Sequence, residues 1–150
     1  MKLIADSDAL PGAVKEILFR AAIRLDIRLI LVASKTIRVP ESGLITCVTV
    51  EVGADSADGR VLTLTNPGDL VITADIPLAD RVASKGGHAL DPRGTLYGAG
   101  NIKTKLAMRD LSAMLRAAGA ALKGPPPFTG RDASRFARRL DAFLTANHRG

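Results

Sequence analysis

Five aspartates stand where chemistry on a phosphate is feasible: Asp6, Asp8, Asp55, Asp58 and Asp75. Asp6 and Asp8 follow the apolar run Lys2-Leu3-Ile4-Ala5, and Asp75 follows Leu70-Val71-Ile72-Thr73. Asp55 and Asp58 come just after the β-branched stretch Ile45 to Val52. In open parallel sheets, ligands bind beyond the carboxyl ends of the strands. Carboxylates gathered there repel one another unless a cation neutralises them, and all-oxygen ligands suit Mg²⁺ or Mn²⁺. Such ions activate water and stabilise both oxygens of a phosphodiester displacement. Each aspartate also has an ordinary structural use. Asp8 precedes Pro11 and suits a helix N-terminus by its charge. Asp75 precedes Pro77 and suits a cap, as do Asp55 and Asp58 for the helix after the third strand. The residues alone leave ligation and capping both open.

The elements that must position these acids follow from periodicity. Lys2 to Ala5 is a short strand. Pro11 opens a helix whose face is Val14, Ile17, Leu18, Ala21 and Leu25. Ile27 to Ala33 and Ile45 to Val52 are strands, and Ala54 to Thr65 has weak helical character. Pro67-Gly68 makes a turn before the strand Leu70 to Thr73. Pro77 opens a helix through about Ser84, Gly86-Gly87 closes it, and His88-Ala89-Leu90 is a short last strand. This alternation predicts an α/β fold: a mainly parallel sheet with helices on both faces.

The tail is different. Ile102 to Ala118 is a helix with Leu111, Met114, Leu115 and Ala118 on one face, stopped by Gly119. Gly124-Pro125-Pro126-Pro127 is a stiff spacer. Thr129 with Asp132 resembles a capping box, with Asp in place of Glu. It starts a helix whose stripe is Phe136, Ala137, Leu140, Phe143 and Leu144, with Arg131, Arg135, Arg138 and Arg139 on the other face.

Composition bounds the answer. The chain has 150 residues, 47% hydrophobic and 24% charged, enough for one domain. Aromatic content of 3% demands an aliphatic core and argues against reading nucleic acid mainly by base stacking. Cys47, the one cysteine, has no disulfide partner and reads as a buried thiol in a strand. No run approaches the ~20 apolar residues of a membrane span, and the first residues do not resemble a signal peptide. The expectation is a cytoplasmic protein, of unspecified oligomeric state. Net charge is +6, but it is split: residues 1–100 carry −1 and residues 101–150 carry +7. The chain therefore reads as one domain, with an α/β core over 1–100 and a basic helical extension over 101–150. An acidic site beside a basic surface suits a polyanion bound near metal ions, although on charge alone ordinary solvated helix faces are the simpler explanation.

Several blocks resemble one bacterial family. Asp6-Ser7-Asp8-Ala9-Leu10-Pro11 is similar to the Asp-Ala-Asp-Ala-Cys-Pro opening of the YaiI/YqxD family. Ile37-Arg38-Val39-Pro40, the block Gly68 to Ala79, Leu106-Ala107-Met108-Arg109-Asp110 and Gly124-Pro125-Pro126-Pro127-Phe128 match it as well. The family itself looks like a distant relative of the PIN and NYN nuclease domains. That likeness implies a PIN-like three-layer sandwich with acids around Mg²⁺ or Mn²⁺, acting on RNA. It implies Asp6 and Asp75 as metal ligands, Asp58 as the third, and Asp8 beside the attacking water. Lys103, Lys105 and Arg109 would hold phosphates. Leu10 stands where the family usually has Cys, so an essential thiol there would be missing from this chain.

Three functions compete. The first is a metal-dependent ribonuclease. The second is a phosphatase of the haloacid-dehalogenase kind, in which Asp6 is the nucleophile and Asp8 the general acid, with Lys35 assisting. The third is a non-catalytic RNA-binding or partner-binding domain that carries the acidic crevice without turnover.

Overall fold

The computed structural model describes residues 1–51, 56–124 and 126–148. Its centre is a six-stranded sheet in the order β3-β2-β1-β4-β5-β6. The strands are β1 (Leu3–Asp6), β2 (Leu29–Ala33), β3 (Ile45–Thr49), β4 (Leu70–Ile72), β5 (His88–Leu90) and β6 (Leu96–Tyr97). The first five run parallel, and β6 returns antiparallel to β5. The helices are α1 (Gly12–Leu25), α2 (Ser56–Leu64), α3 (Ile76–Ser84), α4 (Ile102–Ala117) and α5 (Gly130–Asn147).

Side-chain alternation divides the sheet into two faces. Leu3, Ala5, Leu29, Leu31, Leu70 and Ile72 point to one core, shared with Val14 and Leu18 of α1 and Phe136 and Leu140 of α5. Ile4, Ile30, Val32 and Val71 point the other way, onto Val61 of α2 and Leu78 and Val82 of α3. Both faces of the central strands are thus buried, which is why they read as continuous apolar runs. The result is three layers, as the alternation predicts.

The amino edge of the sheet is stapled by Asp69. Its carboxylate accepts from the Lys2 and Asn66 backbone N–H groups and lies 2.6 Å from Lys2 Nζ. Gly68, just before it, turns with φ +87°, a conformation that suits glycine. The start of the Gly68–Ala79 block therefore serves to lock β4 beside β1.

Three expectations change in detail. Cys47 is half-buried rather than buried, because β3 is an edge strand. The hairpin strand β6 was not expected; two residues carry too little pattern to announce it. The predicted face of α4 finds no core. Only Ile102 of that helix is buried, against Ala79, Ala89 and Tyr97, while Met108, Leu111 and Met114 are 59%, 56% and 68% exposed.

Candidate active site

The sheet order reverses between β1 and β4, because α1 leads the chain one way and α2 the other. That reversal opens a crevice at the carboxyl edge, where doubly wound sheets hold ligands. Asp6 ends β1 at one side of it, and Thr73 and Asp75 follow β4 at the other.

These residues are linked. Thr73 Oγ1 donates to Asp6 Oδ2 at 2.9 Å and accepts from the Asp75 N–H at 3.0 Å. Asp75 Oδ1 in turn accepts from the Leu78 N–H at 3.0 Å, capping α3 with Pro77 in its first turn. Asp75 therefore does serve as a cap, and one oxygen is committed to it. Asp8 does not cap α1. Both its oxygens accept from the Ser34 N–H, at 3.0 and 3.2 Å, tying the turn after β1 to the end of β2. Asp6 makes no cap hydrogen bond. Its carboxyl is held above the ordinary carboxylate value, first by burial and then by the like charges of Asp75 and Asp8, against the pull of the Thr73 hydroxyl. Ser7, between the two acids in sequence, is fully buried, and its hydroxyl has no hydrogen-bond partner among the described residues. A buried hydroxyl of that kind calls for a water or a ligand.

Asp58 lies half-buried in the first turn of α2, the helix that follows β3. Asp55 falls outside the described residues. Leu10, in the family's Cys position, is 6% exposed and belongs to the α1–α5 core, as a packing residue does. Lys35 is exposed just beyond β2.

The basic residues sort themselves by partner. Lys103 Nζ lies 2.6 Å from Asp80 Oδ1, which fastens α4 to α3. Arg109 reaches Asp110, and both side chains are more than half exposed. Lys105, Arg109 and Arg116 line one groove together with Ile76, the residue after Asp75. A cationic track therefore runs up to the acidic crevice.

Asp91 was missed from the sequence. It directly follows β5, so the rule that singled out Asp6 and Asp75 would have found it. Its Oδ1 accepts from the Arg93 N–H at 2.6 Å. Burial raises its carboxyl, while the Arg93 hydrogen bond and the charges of Arg93 and Lys105 oppose the rise. Arg93 bonds Asp132, which closes the Thr129–Asp132 capping box of α5. The Thr129 backbone N–H is the main reason that the Asp132 carboxyl sits below its usual value.

Residues 4–146 match the uncharacterized BCR, YaiI/YqxD family. The chain belongs to the YaiI/YqxD family. It is 54% identical to a UPF0178 protein of Solidesulfovibrio magneticus over 144 residues, 96% of each chain. It is 50% identical to a UPF0178 protein of Sulfurimonas denitrificans over 147 residues, 98% of this chain and 97% of the relative. A UPF0178 protein of Alkalilimnicola ehrlichii is 52% identical over 147 residues, 98% of this chain and 99% of the relative. No solved structure matches the chain. For this YaiI/YqxD chain, then, the crevice between β1 and β4 is where two of the blocks that carry the likeness meet, the one that opens with Asp6 and the one from Gly68 to Ala79.

Among the described residues, no group of three or more His, Cys, Asp or Glu converges tightly enough to hold an ion alone. Mg²⁺ does not require one. It is commonly bound through one or two carboxylates, several waters and the substrate's own phosphates. Asp6, with its raised carboxyl, and Asp75, with one oxygen not used in capping, fit that donor set. No described helix is long and apolar enough to cross a membrane.

Proposed function

We propose that this chain is a nuclease acting on RNA with Mg²⁺ or Mn²⁺ held by Asp6 and Asp75, the rest of the ion's shell being waters and the substrate's phosphates. When bound, the ion would supply charge against phosphate oxygens and lower the pKa of a water. The observation that carries the reading is the Asp6–Thr73–Asp75 link across the β1/β4 crevice. One hydroxyl ties the Asp6 carboxylate to the Asp75 backbone, and the Asp75 charge is near enough to raise the Asp6 carboxyl, a cost that a cation would relieve. Asp8, anchored on Ser34, keeps a further negative charge beside Asp6 and is the candidate proton acceptor for the attacking water. Lys105 and Arg109 hold the phosphates that flank the scissile one, while Lys103 fixes α4 through Asp80. The phosphatase reading is weaker, because it rests on the Asp6–Asp8 spacing alone, whereas the family match spans residues 4–146.

The test is cleavage of a labelled single-stranded RNA with Mn²⁺ or Mg²⁺, beside Mn²⁺ calorimetry. The wild type should cut, and EDTA should stop it. Asp6→Asn and Asp75→Asn should each lose at least the roughly 10–100-fold typical of a disturbed metal site. Mn²⁺ affinity unchanged in both variants, with no cleavage by the wild type, would overturn the nuclease reading and leave a binding domain.

A further inference from the structure

A second cavity, of about 290 Å³, borders the same segment as the cationic groove, with Ala74 in its wall where the groove has Ile76. Its walls include Ala9, Pro11, Ala74, Asp91, Arg93 and Phe128. Those residues come from beyond β1, β4 and β5 and from the segment before α5, so the cavity is continuous with the carboxyl edge. Ala74, in its wall, sits between Thr73 and Asp75. The volume is at the small end of ligand pockets, suited to one ring system and its sugar rather than to a large cofactor.

The lining is chemically specific. The Arg93 guanidinium lies over the Phe128 ring, 5.9 Å from its centroid, and makes a flat, partly cationic wall. Arg93 is held by Asp132 at 3.0 Å and by the carbonyl of Pro126. Its turn is pinned to α5: a Cβ on Gly94 would stand 2.7 Å from Arg135 Cγ, and Gly94 has φ +97°. The same cavity is lined by an acceptor, Asp91. Its Oδ1 takes the Arg93 N–H, and its Oδ2 has no hydrogen-bond partner among the described residues. Planar side chains that stack, with a carboxylate set to take in-plane donors, are the equipment for an unpaired base.

We propose that this cavity is a nucleotide subsite that receives one base of the RNA and favours guanine. The guanine edge offers N1–H and N2–H together, which a carboxylate accepts as a pair. Cytosine and adenine offer one amino group each. Uracil offers a single N3–H between two carbonyls that repel Asp91. The sugar-phosphate would then leave the cavity past Ala74 toward Asp75. Lys105, near enough to influence the Asp91 carboxyl, stands on its path toward the groove of Arg109 and Arg116. The direction of the strand rests on the nuclease reading; the base preference rests on the cavity alone.

The test is an NMR titration of the full chain with guanosine 5′-monophosphate and uridine 5′-monophosphate, in EDTA. Guanosine monophosphate should shift the Ala74, Arg93 and Gly94 amides and bind about fivefold tighter or better, the low end of a bidentate preference. Asp91→Asn keeps the acceptor for the Arg93 N–H but replaces the other oxygen by a donor. It should bring the two affinities within about twofold. Ala74→Phe, on an exposed position, should block both nucleotides without touching Asp91. Shifts clustered elsewhere, equal affinities in the wild type, or a preference that survives Asp91→Asn would overturn the subsite. Because EDTA excludes cleavage, guanine binding without any Mn²⁺-dependent cutting would sink the nuclease reading and leave this one standing. Cutting with no base preference at the cavity would do the reverse.

Discussion

Thr73 Oγ1 sits 2.9 Å from Asp6 Oδ2, so the hydroxyl after β4 holds the acid that ends β1. The same oxygen receives the Asp75 N–H. One small side chain thus ties the Asp6 carboxylate to the Asp75 backbone across the reversal of the sheet.

Thr73→Val keeps the shape and removes that oxygen. The Asp75 N–H loses its acceptor in a part-buried place, a loss of about 1–3 kcal/mol. Asp6 loses its donor at the same time. Thermal melting should show the destabilisation, and calorimetry should show weaker Mn²⁺ binding. Thr73→Ser should retain both properties more nearly, because the hydroxyl remains. If Thr73→Val matches the wild type in both measurements, the link has no energetic role.

Asp6→Asn should raise the melting temperature of the metal-free protein at neutral pH. The folded chain raises the Asp6 carboxyl above its usual 3.8, chiefly by burial. The protonated acid is therefore the form that folding favours. Its stability contribution is fully present below pH 3.8 and is lost as pH rises through the folded value. Asn carries no such charge at any pH. The gain over wild type should be largest near pH 7 and should vanish as pH falls below 3.8. A difference that grows toward acid would reverse the argument.

Lys105→Ala and Arg109→Ala should each weaken RNA binding similarly for unrelated sequences and flatten its salt dependence. A single phosphate contact contributes a slope of about −0.7 in log affinity against log salt for single strands. Lys103→Ala should change the slope less, because its ammonium is occupied by Asp80. Fluorescence anisotropy across a salt series reads both effects. An affinity independent of salt would remove the electrostatic track.

Phe136→Ala and Leu111→Ala should separate the two C-terminal helices. Phe136 of α5 is 0% exposed in the α1-side core, and its truncation should cost about 3–5 kcal/mol. Leu111 of α4 is 56% exposed, and its truncation should stay within about 0.5 kcal/mol. Urea unfolding of the two variants checks this. A large loss from Leu111→Ala would mean that its face is covered in solution.

Local pattern carried much of this protein. Strand and helix alternate in the chain because each element buries a face whose period is set by its own backbone geometry, and that period is written in consecutive residues. The same holds for Asp75, whose cap needs only Leu78, and for Thr129 with Asp132, whose capping box spans one turn. Membership of the YaiI/YqxD family was legible in the same way, from contiguous blocks such as Gly68 to Ala79. What tertiary structure decided is which distant pieces meet. The placement of β4 beside β1, locked by Asp69 on Lys2, is what brings Asp75 to Asp6. The anchoring of Asp8 on Ser34 required β2 as the other neighbour. Likewise the apolar stripe of α4 predicted a buried face, yet among the described residues no element comes to cover it. Periodicity records which side of a helix is apolar, not what packs against it. Asp91, Arg93 and Phe128 form one cavity although 37 positions separate the first from the last. Such meetings depend on strand order and helix docking, which are set by the summed packing of the whole core rather than by any stretch of sequence.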